Sequence, residues 1–236
     1  MRCRSVSLSC KGKINHLIRL PHVLNTFILC FSEHKREDND GLLSMWRGYG
    51  NAGSGVAVVI DTGELKPYPE SPLIVGRVHY ASKSARKDWI REKLTKLAKV
   101  IAEHAKNDDD YFYAAYAWLH RLKSFSLFTK HYGFREEKEW RIVYMSDRDN
   151  DQLFKKYFGY LATNRGIEPK LKLPINSVPE LKTQNISISS LVDRIILGPS
   201  VSSVLAVNSL RQMLKAIGQD GLAERVVASE IPFRAT

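Results

Sequence analysis

The chain has 236 residues, 44% of them hydrophobic and 26% charged, an ordinary balance for a globular protein with a buried core. Three cysteines, odd in number and not spaced as ligands, exclude a disulfide framework or a zinc site, and no apolar run is long enough to span a bilayer. The net charge of +11 fits two readings: an anionic partner such as nucleic acid, a dinucleotide or a phosphorylated ligand, or a basic protein kept soluble by its charge.

Taken in chain order, residues 1–22 are weakly patterned, and their basic start lacks the apolar run of a signal peptide, which points to a reduced, cytoplasmic setting. VLNTFILCFSE (23–33) reads as a buried strand, followed by a polar loop at 34–41 and one or two helical turns in LLSMWRGYG. Four glycines between Gly48 and Gly55 mark a turn-rich connection into the strand GVAVVID, and a proline-rich stretch separates that strand from VGRVHY. Trp89, Leu94, Leu97, Val100 and Ile101 recur at three- and four-residue spacing and predict a helix over 83–106. Asp108, Asp109 and Asp110 then supply the N-cap and first-turn charge of a second helix, from about Tyr111 to Lys130, whose aromatic residues cover most sides and predict a core helix.

A strand is expected from Glu137, with Glu137, Glu139, Arg141 and Val143 on one face and Lys138, Trp140, Ile142 and Tyr144 on the other. A short helix over 152–161 and a loop excursion over 164–187 follow. The chain then runs through a strand ending at Gly198, an amphipathic helix capped by Gly218 and a final strand. Strands mixed with helices, without βαβ alternation, give an α+β fold: a single domain over 1–236, with a mixed, mostly antiparallel sheet, two long central helices and a C-terminal helix.

Walker, GxSxG, HExxH and CxxC patterns are absent, and the glycines precede a strand, the wrong order for a dinucleotide fingerprint. Seven scattered histidines read as ordinary surface or core residues. Two constellations remain. Ser32, Trp46, Arg47 and Tyr49 combine a hydroxyl, an arginine and two aromatic rings, suited to gripping a phosphate and stacking on a ring; the competing reading is a packed structural corner. Glu137 and Glu139 are either a catalytic pair or members of an Arg–Glu ladder on a strand.

FILCFSE, MWRGYGNAGSGVAVVID, VHY, KHYGFREEKEWRIVY, VDRIILGPS and VVASEIPFR, in this order, resemble the bacterial family known as domain of unknown function 2971, over about residues 25–234. Members of that family begin with a further segment, bearing a Tyr/His/Arg-type strand and a stretch like Asn-Asp-Pro-Phe-Glu, which has no counterpart in residues 1–22. More distantly, Glu137-Lys138-Glu139 before Trp140-Arg141-Ile142-Val143 looks like the Glu-x-Glu strand of ADP-ribosyltransferases. That resemblance implies NAD as a substrate. It gives Glu139 the nicotinamide-ribose hydroxyl and the developing ribosyl cation, and Glu137 the acceptor nucleophile. Ser32 takes the place of the Ser on the middle strand, and Arg47 stands in for the missing early His or Arg. Three expectations follow: an NAD-using effector, such as a toxin or phage-defence protein, acting on nucleic acid or protein; a non-catalytic basic module that binds nucleic acid; and an interaction protein using the aromatic helix. The oligomeric state, the substrate and the acceptor are not legible in the sequence.

Overall fold

The computed structural model describes residues 25–63, 71–176, 178–181 and 186–233. Its elements are β1 (Thr26–Ser32), α1 (Leu43–Gly48), β2 (Val56–Ile60), β3 (Leu73–Arg77), β4 (His79–Ala81), α2 (Lys83–His104), α3 (Asp108–Leu127) and β5 (Thr129–His131). They continue with β6 (Glu139–Met145), β7 (Phe158–Thr163), β8 (Gly166–Leu171), α4 (Ile188–Leu191), β9 (Val192–Leu197), α5 (Val204–Ala216), α6 (Asp220–Ala223) and β10 (Val226–Ala228). The fold is α+β with mostly antiparallel pairing, and no helix among the described residues is long and apolar enough to cross a membrane. By their contacts the residues group into two compact units, one of Met1–Ser32 with Pro72–Leu171, the other of Glu33–Ser71 with Lys172–Thr236.

The first unit is built on β6. β1 and β3 pair with it antiparallel on either side, with Ser32 opposite Glu139 and Cys30 opposite Arg141. Val143, Tyr144 and Met145 are buried on β6 because its second half is continuously apolar. The Tyr144 ring lies among Phe27, Phe154 and Phe158, and its hydroxyl donates to Asp149 at 2.9 Å, which satisfies a buried carboxylate. β4 and β5 form a short parallel pair, and β7 and β8 a hairpin.

α2 begins at Ser82, whose side chain accepts from the Ala85 amide. α3 begins in a reciprocal capping box between Asn107 and Asp110, so it starts at Asp108, three residues before the expected start near Tyr111. Contrary to the expected core helix, no residue of α3 is buried, and Tyr113 is 68% exposed. Aromatic content all round a helix does not choose a face. The core of this unit is filled from β6 and by Phe154, so the rings of α3 are left half-buried or exposed.

Three further expectations change. Residues 152–161 are not a helix: Lys155–Tyr157 make one 3-10 turn and Phe158 starts β7. Gly166–Leu171, placed in the loop excursion, is β8, paired with β7 over six residues in place of a structureless loop. The alternation from Glu137 also fails, since Tyr132–Glu137 is a 3-10 helix and Lys138 is left-handed at φ 43°. The predicted faces hold only from Glu139 onward.

In the second unit β9 is central, antiparallel to β2 and parallel to β10, with α5 and α6 crossing between β9 and β10. Val192, Ile195 and Leu197 of β9 pack with Leu214, Leu222 and Val226 in one core, each full burial contributing about 1.5–3 kcal/mol. α5 ends as expected at Gly218, whose φ of 73° lets the Gln219 amide reach the Leu214 carbonyl at 2.8 Å and its own amide reach Lys215 at 3.0 Å. The family-specific N-terminal segment sought in residues 1–22 lies outside the described residues.

Candidate functional site

The first unit holds a carboxylate cluster where β1 and β6 meet. The left-handed turn at Lys138 brings Glu137 and Glu139 to the same ammonium: Lys130 Nζ lies 2.5 Å from Glu137 Oε2 and 3.1 Å from Glu139 Oε2. Arg141 approaches Glu139 from the same strand face, Nε to Oε1 at 2.8 Å and a second nitrogen to Oε2 at 3.2 Å, and its guanidinium also donates to the Leu127 carbonyl. Ser32 does not reach either carboxylate through its hydroxyl. It donates to the Glu137 carbonyl at 2.7 Å, locking the turn to β1. The Glu139 amide donates to the Tyr80 hydroxyl at 2.7 Å.

Glu139 is only 5% exposed. Burial alone would raise its pKa, but hydrogen bonds from Arg141, Cys30 and Lys130 outweigh it and hold the carboxyl at about 2. Cys30 is exposed as a residue, yet partial burial of its thiol, then the hydrogen bond and charge of Glu139, push it up to about 11. Burial opposes the charge of Lys130, and the bonds to Glu137 and Glu139 reverse that and raise its pKa. Glu139 is therefore a permanently ionised carboxylate with both oxygens engaged.

Trp46, Arg47 and Tyr49 belong to the second unit. Trp46 is buried, its indole nitrogen donating to the Asp40 carbonyl at 2.7 Å, and a Cβ on Gly50 would meet its ring at 2.7 Å, so the ring is enclosed by its own loop. Arg47 is exposed and lies over the Phe233 ring at 5.9 Å. Tyr49 is 67% exposed. The structure thus brings Ser32, Glu137 and Glu139 together in one unit and assigns Trp46, Arg47 and Tyr49 to the other.

Two clefts on α2 and α3 were not anticipated. One, of about 380 Å³, is lined by Trp89, His120, Arg121, Ser124, Phe125 and Arg148. Its wall is a stack of Trp89 on Phe125, centroids 4.0 Å apart and planes within 5°, with Arg121 over the Trp89 ring at 5.9 Å. The other, of about 490 Å³, has a floor of Ile90, Leu122 and Phe125 and a rim that includes Lys83, Arg86, Lys87 and Lys123. Among the described residues no carboxylate lines either cleft. The available sequence signal was charge segregation: Lys83–His104 has seven Lys and Arg against three Asp and Glu, four of the chain's eleven excess charges on one helix.

Residues 45–142 match the family described as Protein of unknown function (DUF2971). The DUF2971 match runs from α1 to the first half of β6, so it contains Glu137, Glu139, Arg141 and both long helices, while Ser32 falls outside it. It is narrower than the span of 25–234 expected from the ordered motifs. No curated protein and no solved structure matches the chain.

Proposed function

We propose that this DUF2971 protein is a nucleic-acid-binding module that engages the phosphate backbone through α2 and α3. One observation carries the reading: both clefts on this helix pair are lined by cations without a carboxylate, and one is walled by stacked aromatic rings. Lys and Arg neutralise phosphates and release counterions, and an aromatic ring accepts an unpaired base by stacking. The test is a salt titration against single- and double-stranded DNA and RNA. Log affinity is expected to fall linearly with log salt, and Glu137→Gln is expected to leave the slope unchanged. Absence of binding at low salt overturns the proposal.

A second reading, NAD-dependent transfer, is favoured by the meeting of Ser32, Glu137 and Glu139 at one strand end. In it Glu139 stabilises a developing ribosyl cation electrostatically. The engagement of both Glu139 oxygens by Lys130 and Arg141 weighs against that role, because a ribose hydroxyl would have to displace one of them. Nicotinamide release from NAD that disappears in Glu139→Gln would support transfer. No release with DNA, RNA or protein acceptors would end it.

A further inference from the structure

Arg86 lines the larger cleft, yet its Nε is buried without a hydrogen-bond partner. A buried guanidinium nitrogen left unpaired is costly and calls for an explanation, a bound ion being one; Arg194 and Arg211 share the feature, so the surroundings of Arg86 decide. Its surroundings deepen the deficit. Lys83 and Lys87 flank it at the start of α2, whose first turn holds no acidic residue, where the helix dipole already disfavours positive charge, and Asp88, which follows Lys87, is paired with Arg91 at 2.7 Å. Among the described residues neither lysine has an ion-pair partner, whereas Lys123, on the facing helix, is held by Asp147 at 3.0 Å.

Among the described residues, three cations at the positive end of a helix therefore lack an ion-pair partner beside an apolar and aromatic floor. An anion here would relieve their mutual repulsion, meet the helix dipole and give the Arg86 guanidinium an acceptor. From this we infer a phosphate-binding subsite formed by Lys83, Arg86 and Lys87, with Phe125 and Ile90 beneath the group that carries the phosphate. The inference rests on the nucleic-acid reading and sharpens it by naming where a phosphate docks. The same chemistry accepts a backbone phosphodiester or the terminal phosphate of a nucleotide.

The experiment uses the full chain and an Arg86→Met variant. Thermal unfolding without ligand comes first: removing an unpartnered guanidinium should leave the midpoint unchanged or raised, whereas a structural arginine would lower it. Binding of a single-stranded oligonucleotide, 5′-phosphorylated or 5′-hydroxyl, is then followed from about 50 to 200 mM salt. Arg86→Met should weaken binding and reduce the salt slope by about 0.7, one single-strand phosphate contact. A loss confined to the 5′-phosphorylated strand identifies a terminal phosphate, and an equal loss with both identifies the backbone. Lys87→Gln should act in the same direction and serves as the second variant should Arg86→Met fail to fold. If oligonucleotides bind but neither variant changes the slope, the subsite is wrong and the broader reading stands. If oligonucleotides do not bind but pyrophosphate raises the unfolding midpoint of the wild type and not of the variants, the subsite stands and the nucleic-acid reading falls. If neither ligand acts on the wild type, both are overturned.

Discussion

Replacing Glu139 by Gln decides whether the carboxylate cluster is architecture or a reaction centre. The substitution preserves shape and removes the charge that Lys130 and Arg141 share. A glutamine still accepts from Arg141 through its carbonyl, but its amide presents hydrogens where the second oxygen accepted from Lys130 and Arg141. The drop in the Glu139 pKa from an ordinary 4.5 to about 2 corresponds to about 3 kcal/mol of stability at neutral pH. That figure agrees with the roughly 3–5 kcal/mol cost of breaking a buried pair by removing one partner.

The sign of the pH dependence follows from the same shift. Because the folded-state pKa is depressed, the stabilisation is complete above the unfolded value of 4.5 and is lost as pH falls toward 2. The contribution at pH 3 is then about half that at pH 7, about 1.5 kcal/mol. Urea unfolding followed by circular dichroism at both pH values should show Glu139→Gln losing about 3 kcal/mol at pH 7, with the gap to wild type narrowing at pH 3. A variant as stable as wild type at pH 7, or more stable, would refute the argument. It would point instead to a carboxylate held for a ligand at the expense of stability.

Other positions extend the test. Gly198→Ala places a Cβ 2.2 Å from the Gly53 carbonyl oxygen, which the closely packed strand ends cannot accommodate, and should cost about 3 kcal/mol or more by thermal unfolding. Tyr144→Phe leaves the buried Asp149 without one donor and should cost about 1–3 kcal/mol by urea unfolding. Tyr113→Ser, on the exposed face of α3, should change stability by less than about 0.5 kcal/mol, and a larger loss would restore the core-helix expectation. Lys138→Gly relieves the left-handed backbone at φ 43° and adds chain entropy to the unfolded state; the two nearly cancel, so its unfolding free energy, measured in urea, should stay within about 1 kcal/mol of wild type.

Helix periodicity and strand composition located α2, α3, β1, β2, β6 and β9, because each spans enough residues for a repeat to show. Gly218 was legible as a cap because an αL residue after an amphipathic run has few alternatives. The 3-10 turn at Lys155–Tyr157 is too brief to carry a period, and the strand that follows it, FGYLAT, lacks the β-branched run that marked β2. The left-handed turn at Lys138 was hidden for a different reason. Lysine has no preference for that conformation, so nothing in EEKEW distinguished an extended run from a turn entering a strand. Glu137 and Glu139 were found as a pair, but Lys130, which joins them, lies on a different strand and is visible only once β5 is placed.

The contrast between paired and unpaired cations then argues for where function lies in this unit. Lys130 and Arg141 are matched to Glu137 and Glu139, and Lys123 to Asp147; each pair is satisfied within the fold and needs nothing from outside. Lys83, Arg86 and Lys87 are neighbours on one helix without such matching among the described residues, and the buried Nε of Arg86 makes the deficit a folding cost and not merely a surface charge. A perturbed pKa marks Glu139 more strongly than any residue of α2, yet that perturbation is what a completed ion-pair network produces. Within this unit the incomplete network is the better pointer to a ligand, because it leaves an interaction for another molecule to make.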